Sequence, residues 1–75
     1  MTEDITMYAI YDHPKDYPND FVVRRWRAIR GQPIADVLPT AVCKDLETAR
    51  NLIPTGLVQI PRSPSDDPVI LETWL

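Results

Sequence analysis

A single cysteine, Cys43, leaves this chain without an internal disulfide, and a single histidine leaves it short of the His/Cys set that a zinc site requires. Glycine is scarce too, two in 75 residues, and no glycine-rich phosphate loop is spelled out. No stretch approaches the roughly 20 apolar residues that span a bilayer. The opening MTEDITMYAI is acidic where a secretory signal is basic, and its apolar run is too short for a signal core. Together these absences lead to an expected cytoplasmic location and no membrane partner.

What the chain does have is proline and an uneven spread of charge. Eight prolines with 44% hydrophobic and 25% charged residues describe folded elements joined by stiff loops, not a disordered chain. One small domain is expected over 7–75, after a loose tail at 1–6. The net charge of −3 conceals three segments: residues 1–20 carry five acids and Lys15, residues 21–35 carry four arginines and no acid, and residues 36–75 carry six acids and three bases. A basic strand between acidic flanks is expected to be neutralised internally, with Arg24, Arg25, Arg27 and Arg30 facing acids on neighbouring elements.

That strand is Phe21 to Arg30, FVVRRWRAIR, the longest β-favouring run. Strict alternation puts arginine on both of its faces. An extra residue at Arg24 or Arg25, a β-bulge, would gather Phe21, Val23, Trp26 and Ala28 on one side, so a bulge is expected there. Met7 to Asp12 reads as a partner strand, joined through the loop HPKDYPND. Gly31, Pro33 and Pro39 mark a connection over 31–40, and Thr40 to Cys43 reads as a brief edge strand. Asp45 is a good N-cap for a short helix whose Leu46, Ala49, Leu52 and Ile53 form one stripe, stopped by Pro54. Strands at Leu57 to Ile60 and Val69 to Leu75 flank a second Pro/Asp loop. The expected core is Met7 or Tyr8, Ile10, Phe21, Val23, Trp26, Leu46, Ala49, Leu52, Ile53, Leu57, Val69 and Leu71. The expected fold class is α+β, a two-layer ββαββ domain with a largely antiparallel four-stranded sheet and one short helix on one face.

With YDHP at 11–14 and DDPVI at 66–70 followed by Trp74, the chain resembles short bacterial proteins to which no activity is attached. The resemblance implies no function and no functional residue.

Five constellations carry possible chemistry. Arginines interleaved with Trp26 suit phosphates and a stacked base, yet the sequence pI of about 4.8 opposes the electropositive field of a nucleic-acid binder. One short helix covers one side of a sheet, leaving an uncovered face expected to hold arginines with Tyr8, Ile10, Ile70, Glu72 and Trp74, residue types rich in interface energy. Asp12, His13, Asp16 and Asp20 in one loop, with Ser65, Asp66 and Asp67 in the other, offer oxygen ligands but match no cation-loop spacing. Cys43 and His13 form no recognisable nucleophile and base. Pro61-Arg62-Ser63-Pro64 spells PxxP inside a short hairpin loop. The expectation is therefore a non-enzymatic protein-interaction or regulatory module, including self-association, with Arg24, Arg25, Arg27, Glu72 and Trp74 as binding residues. Single-stranded nucleic-acid binding through the Arg/Trp strand is the alternative, and an enzyme or metal site in the acidic loops comes third. No cofactor, metal or small-molecule ligand is expected.

Overall fold

The computed structural model describes residues 5–60, 62 and 68–75, which form a small α+β domain built on an antiparallel sheet with one short helix. Of the loose tail expected over 1–6, residues 1–4 lie outside the described residues, whereas Ile5 and Thr6 are strand residues paired with Ala28 and Arg27; most of the second Pro/Asp loop, with most of the PxxP spelling, also lies outside them. Strand β1 (Ile5–Asp12) runs antiparallel to β2 (Phe21–Ile29), followed by β3 (Gln32–Ala35), β4 (Ala41–Cys43), helix α1 (Leu46–Asn51), β5 (Gln59–Ile60) and β6 (Ile70–Trp74). The strand order is β3-β2-β1-β6-β5, with β4 also paired to β2. The described residues thus hold six strands in place of the expected four-stranded sheet: β3 arises within the expected 31–40 connection, and β4 matches the brief edge strand read at Thr40 to Cys43. No helix among the described residues is long and apolar enough to cross a membrane.

The turn from β2 to β3 explains the missed strand. Ile29 pairs with Gln32, and the two residues between them, Arg30 and Gly31, have φ of 52° and 80°. Two left-handed residues in a two-residue loop are the signature of a type I′ hairpin, usually written Asn-Gly. An arginine at the first position carries a strain that asparagine tolerates better. Arg30→Asn is accordingly expected to raise the unfolding free energy by about 0.5 kcal/mol, measured by urea denaturation; a loss of stability would show that the Arg30 side chain contributes more than its backbone costs.

The bulge expected in β2 is absent. Its ladder with β1 runs unbroken from Ile5 opposite Ala28 to Asp12 opposite Phe21. Irregularity sits in the neighbours instead. On the outer edge, Ala35 faces Trp26 and Ala41 faces Val23, so five residues, Asp36 to Thr40, pass Arg24 and Arg25. On the other side, the β1–β6 register slips between Ile10 and Tyr11, leaving Leu71 as an extra residue in β6. Consequently Ile70 aligns with Tyr11 and Glu72 with Ile10, on opposite faces of the sheet.

The arginine conflict is resolved along the strand instead of across it. Phe21 and Val23 lie under the helix, while Arg25 and Arg27, on the same face, extend past it into water. The core beneath the helix gathers Ile10, Val23, Cys43 and Ala49, with Tyr8, Phe21, Ala41, Leu46 and Ile53 packed around them. Asp45 caps the helix, its carboxylate accepting from the Thr48 backbone N–H at 2.8 Å and the Thr48 hydroxyl at 2.9 Å. Those bonds hold the Asp45 carboxyl below the usual carboxylate range. The expected core place of Leu52 is not taken: α1 stops at Asn51, and Leu52 caps it with 49% of its surface exposed.

A second, smaller core lies on the opposite face. Ala9 and Val22 are buried there, and the β1–β2 loop folds down with Pro14 buried. Trp26 belongs to this face, not beneath the helix, because it alternates with Arg25 and Arg27. Its indole Nε1 donates to the Tyr11 hydroxyl at 2.9 Å, which lays the ring along the sheet toward Tyr11, with the small Ala9 between them on β1.

Candidate protein-interaction site

The five residues expected to bind do not share one surface. Arg24 donates through one terminal nitrogen to the backbone carbonyls of Asp36, at 2.7 Å, and Val37, at 2.9 Å. Its other terminal nitrogen donates to the Asp16 carboxylate at 3.1 Å. The side chain therefore ties the β1–β2 loop to the Asp36 segment. Arg25 Nε donates to Asp36 Oδ2 at 2.9 Å, and the Arg27 guanidinium lies 3.7 Å from Asp36 Oδ1. Each of these three arginines thus has an acid of its own chain as partner, but Arg25 and Arg27 share Asp36, so neutralisation is incomplete and half-exposed charge remains on that pair.

Glu72 and Trp74 stand on the helix-covered face, opposite Ile10 and Tyr8, not on the uncovered face assigned to them from alternation. Glu72 is 5% exposed. Its Oε2 accepts from Arg50 Nε at 2.8 Å and from an Arg50 terminal nitrogen, and its Oε1 accepts from the Trp74 indole at 3.2 Å. Arg50 reaches this carboxylate from α1, and the bonded carboxylate pushes the guanidinium further up its already high range. Glu72 is in this way a fastening between helix and sheet.

The acidic loop residues are similarly engaged. Asp12 pairs with His13, Asp16 with Arg24, and Asp20 with Lys44 at 2.6 Å. Among the described residues no three metal-ligating side chains converge; Ser65, Asp66 and Asp67 lie outside them. Cys43 is buried, and burial, with Asp45 and Asp20 nearby, pushes its thiol up, the reverse of an activated nucleophile. A cleft of about 380 Å³ opens between Tyr11, Pro14, Lys15, Arg24 and Val69, and its Arg24 and Asp16 already bond each other.

The uncovered face has a different character. β2 pairs Trp26 with both Met7 and Ala35. Extending the β1–β6 register by one residue sets Leu75 opposite Met7, and Leu75 exchanges two backbone hydrogen bonds of 3.0 Å with Val58. Ala35, Trp26, Met7, Leu75 and Val58 consequently form one row across the whole sheet. Beside it lie Pro33, Ala28 and Ile5 on one flank, and Arg24, Ala9, Thr73 and Ile60 on the other. Of these side chains Arg24 alone is ionisable, and it is bonded to Asp16, Asp36 and Val37. Val58, Leu75, Ile5 and Ile60 are exposed, and Met7 and Trp26 half-buried. Of the members expected for the uncovered face, Ile70 and Arg24 lie on it, whereas Tyr8, Ile10, Glu72 and Trp74 lie on the helix side; Val58, Leu75 and Met7 meet there only through pairings that residue spacing does not encode. No protein-family model, curated protein or solved structure matches this chain.

Proposed function

We propose that the chain is a small non-enzymatic interaction module, suited to a reducing compartment such as the cytoplasm, that binds another protein through the uncovered sheet face. The observation that carries this reading is the uncharged row from Ala35 to Val58, with Val58 69% exposed and the helix on the other side of the sheet. Trp with Met amid depleted charge is the composition of interface centres. Five strands span about 19 Å and three rows about 14 Å, well short of the roughly 800 Å² per partner typical of a lasting dimer. A transient contact with a different protein fits that footprint better than permanent self-association.

The nucleic-acid alternative is weakened by alternation, which separates Trp26 from Arg25 and Arg27 by the thickness of the sheet, while Arg24, on the Trp26 face, is already bonded to Asp16 and to the Asp36 and Val37 carbonyls. The test is affinity capture with the wild-type chain and with the exposed-site variant Val58→Lys/Leu75→Lys, each with and without nuclease. A protein held by the wild type, lost by the variant and indifferent to nuclease is expected. Identical capture by both chains, capture of nothing, or release by nuclease would each overturn the reading.

A further inference from the structure

The segment that passes Arg24 and Arg25 forms a second surface, on the helix side of the sheet and beyond the helix's reach. A groove of about 450 Å³ is lined there by Arg25, Arg27, Ile34, Asp36, Val37 and Leu38. Val37 is 91% exposed and Leu38 77%. An ordinary solvated loop tip turns its polar groups outward, and this one does the reverse. Its ends are tied by Asp36 N–H to Arg25 carbonyl, at 3.0 Å, and Thr40 N–H to Val23 carbonyl, at 2.8 Å. Its Asp36 and Val37 carbonyls are held by Arg24, and its one carboxylate by Arg25 and Arg27. Ordering a residue costs about 1–2 kcal/mol of backbone entropy, and here that ordering presents two apolar side chains to water.

Charge at the groove is unbalanced. Two guanidiniums, each about half exposed, share the single Asp36 carboxylate, leaving an excess positive charge on a chain whose net charge is −3. We infer that this groove docks a short segment of a partner protein in which apolar residues alternate with acidic ones. The apolar side chains meet Ile34, Val37 and Leu38, and the carboxylates meet Arg25 and Arg27, whose forked donors suit them. The rest of an acidic chain repels such a segment, which confines it to this site. With the uncharged row on the opposite face, the domain then holds two dissimilar partners back to back.

The probe is a fluorescein-labelled ten-residue peptide alternating leucine with glutamate, compared with its leucine–lysine counterpart by anisotropy and by amide shift mapping. The glutamate peptide is expected to shift Ile34, Val37 and Leu38 and to bind at least about tenfold more tightly than the lysine peptide. Leu38→Ser and Arg27→Gln, both at exposed positions, should each weaken it severalfold while circular dichroism stays unchanged. Equal binding of the two peptides, no binding, or full binding by Leu38→Ser overturns the inference. Leu75→Lys, on the opposite face, should leave the peptide's affinity as it is; a loss there would assign the peptide to the uncharged row and overturn the groove without touching the proposed function.

Discussion

Replacing Arg50 by methionine lowers the thermal midpoint of this domain by roughly 10 °C, and Glu72→Gln costs much less. The asymmetry follows from where the two partners sit. The Arg50 side chain is about half exposed and rehydrates when its carboxylate is removed, whereas Glu72 is buried and keeps only the Trp74 indole when Arg50 is gone. Leaving a buried carboxylate without its cation costs several times more than the intact pair contributes. The damage also spreads, because α1 has six helical residues and no independent stability, and Arg50 fastens it across the sheet to β6. Combining Arg50→Met with Glu72→Gln removes the stranded charge and should recover most of the midpoint lost by Arg50→Met alone. Differential scanning calorimetry of the four proteins decides it. Small and equal losses in the two single variants would mean that this pair behaves as an ordinary surface ion pair.

That pairing was invisible in the sequence, since Arg50 and Glu72 are 22 residues apart and a lone glutamate between apolar neighbours in a strand reads as a solvent-facing residue. Local signals were read correctly where the physics is local. The aromatic and β-branched runs around HPKDYPND became the β1–β2 hairpin, TAVC became β4, and Asp45 caps the helix that ends before Pro54. β3 was hidden by its turn, in which arginine occupies a position where asparagine would have announced a hairpin.

The Phe21 to Arg30 run shows the limit of pattern reasoning more sharply. Its mixed faces led to an expected bulge in β2 at Arg24 or Arg25 that the unbroken ladder with β1 overturns; the irregularity lies in the edge chain beside those residues, and a residue pattern cannot say which of two paired strands absorbs it. An insertion in β2 would have broken the ladder with β1 along the sheet's longest pairing. Three extra residues on the outer edge disturb only edge pairing, and the arginines thereby gain the Asp36 segment as a partner. Internal neutralisation and a contact surface, at first competing readings of the same arginines, become compatible: Arg24 orders the loop, and Arg25 and Arg27 keep charge to spare.

Ile10→Ala should be the most damaging single truncation in the chain, at about 3 kcal/mol by urea denaturation. A domain of this size holds on the order of 4–11 kcal/mol in all, so the variant sits close to unfolding. Ile10 is fully buried, flanked in the sheet by Val23 and Glu72 and roofed by the cluster that includes Cys43 and Ala49. A cavity there lies beneath the helix and beside the Arg50–Glu72 fastening, where collapse would misplace both. Leu52→Ala, in contrast, should fall within about 0.5 kcal/mol of wild type despite lying on the same apparent helical stripe, because half of Leu52 is already in water. Val22→Ala and Val23→Ala provide the finer discrimination. Both valines are fully buried, on opposite faces, so each should cost about 2 kcal/mol if the sheet carries a core on both sides. A near-neutral Val22→Ala would mean that Pro14 and the β1–β2 loop shield Val22 without packing on it, and the domain would then have one core and not two.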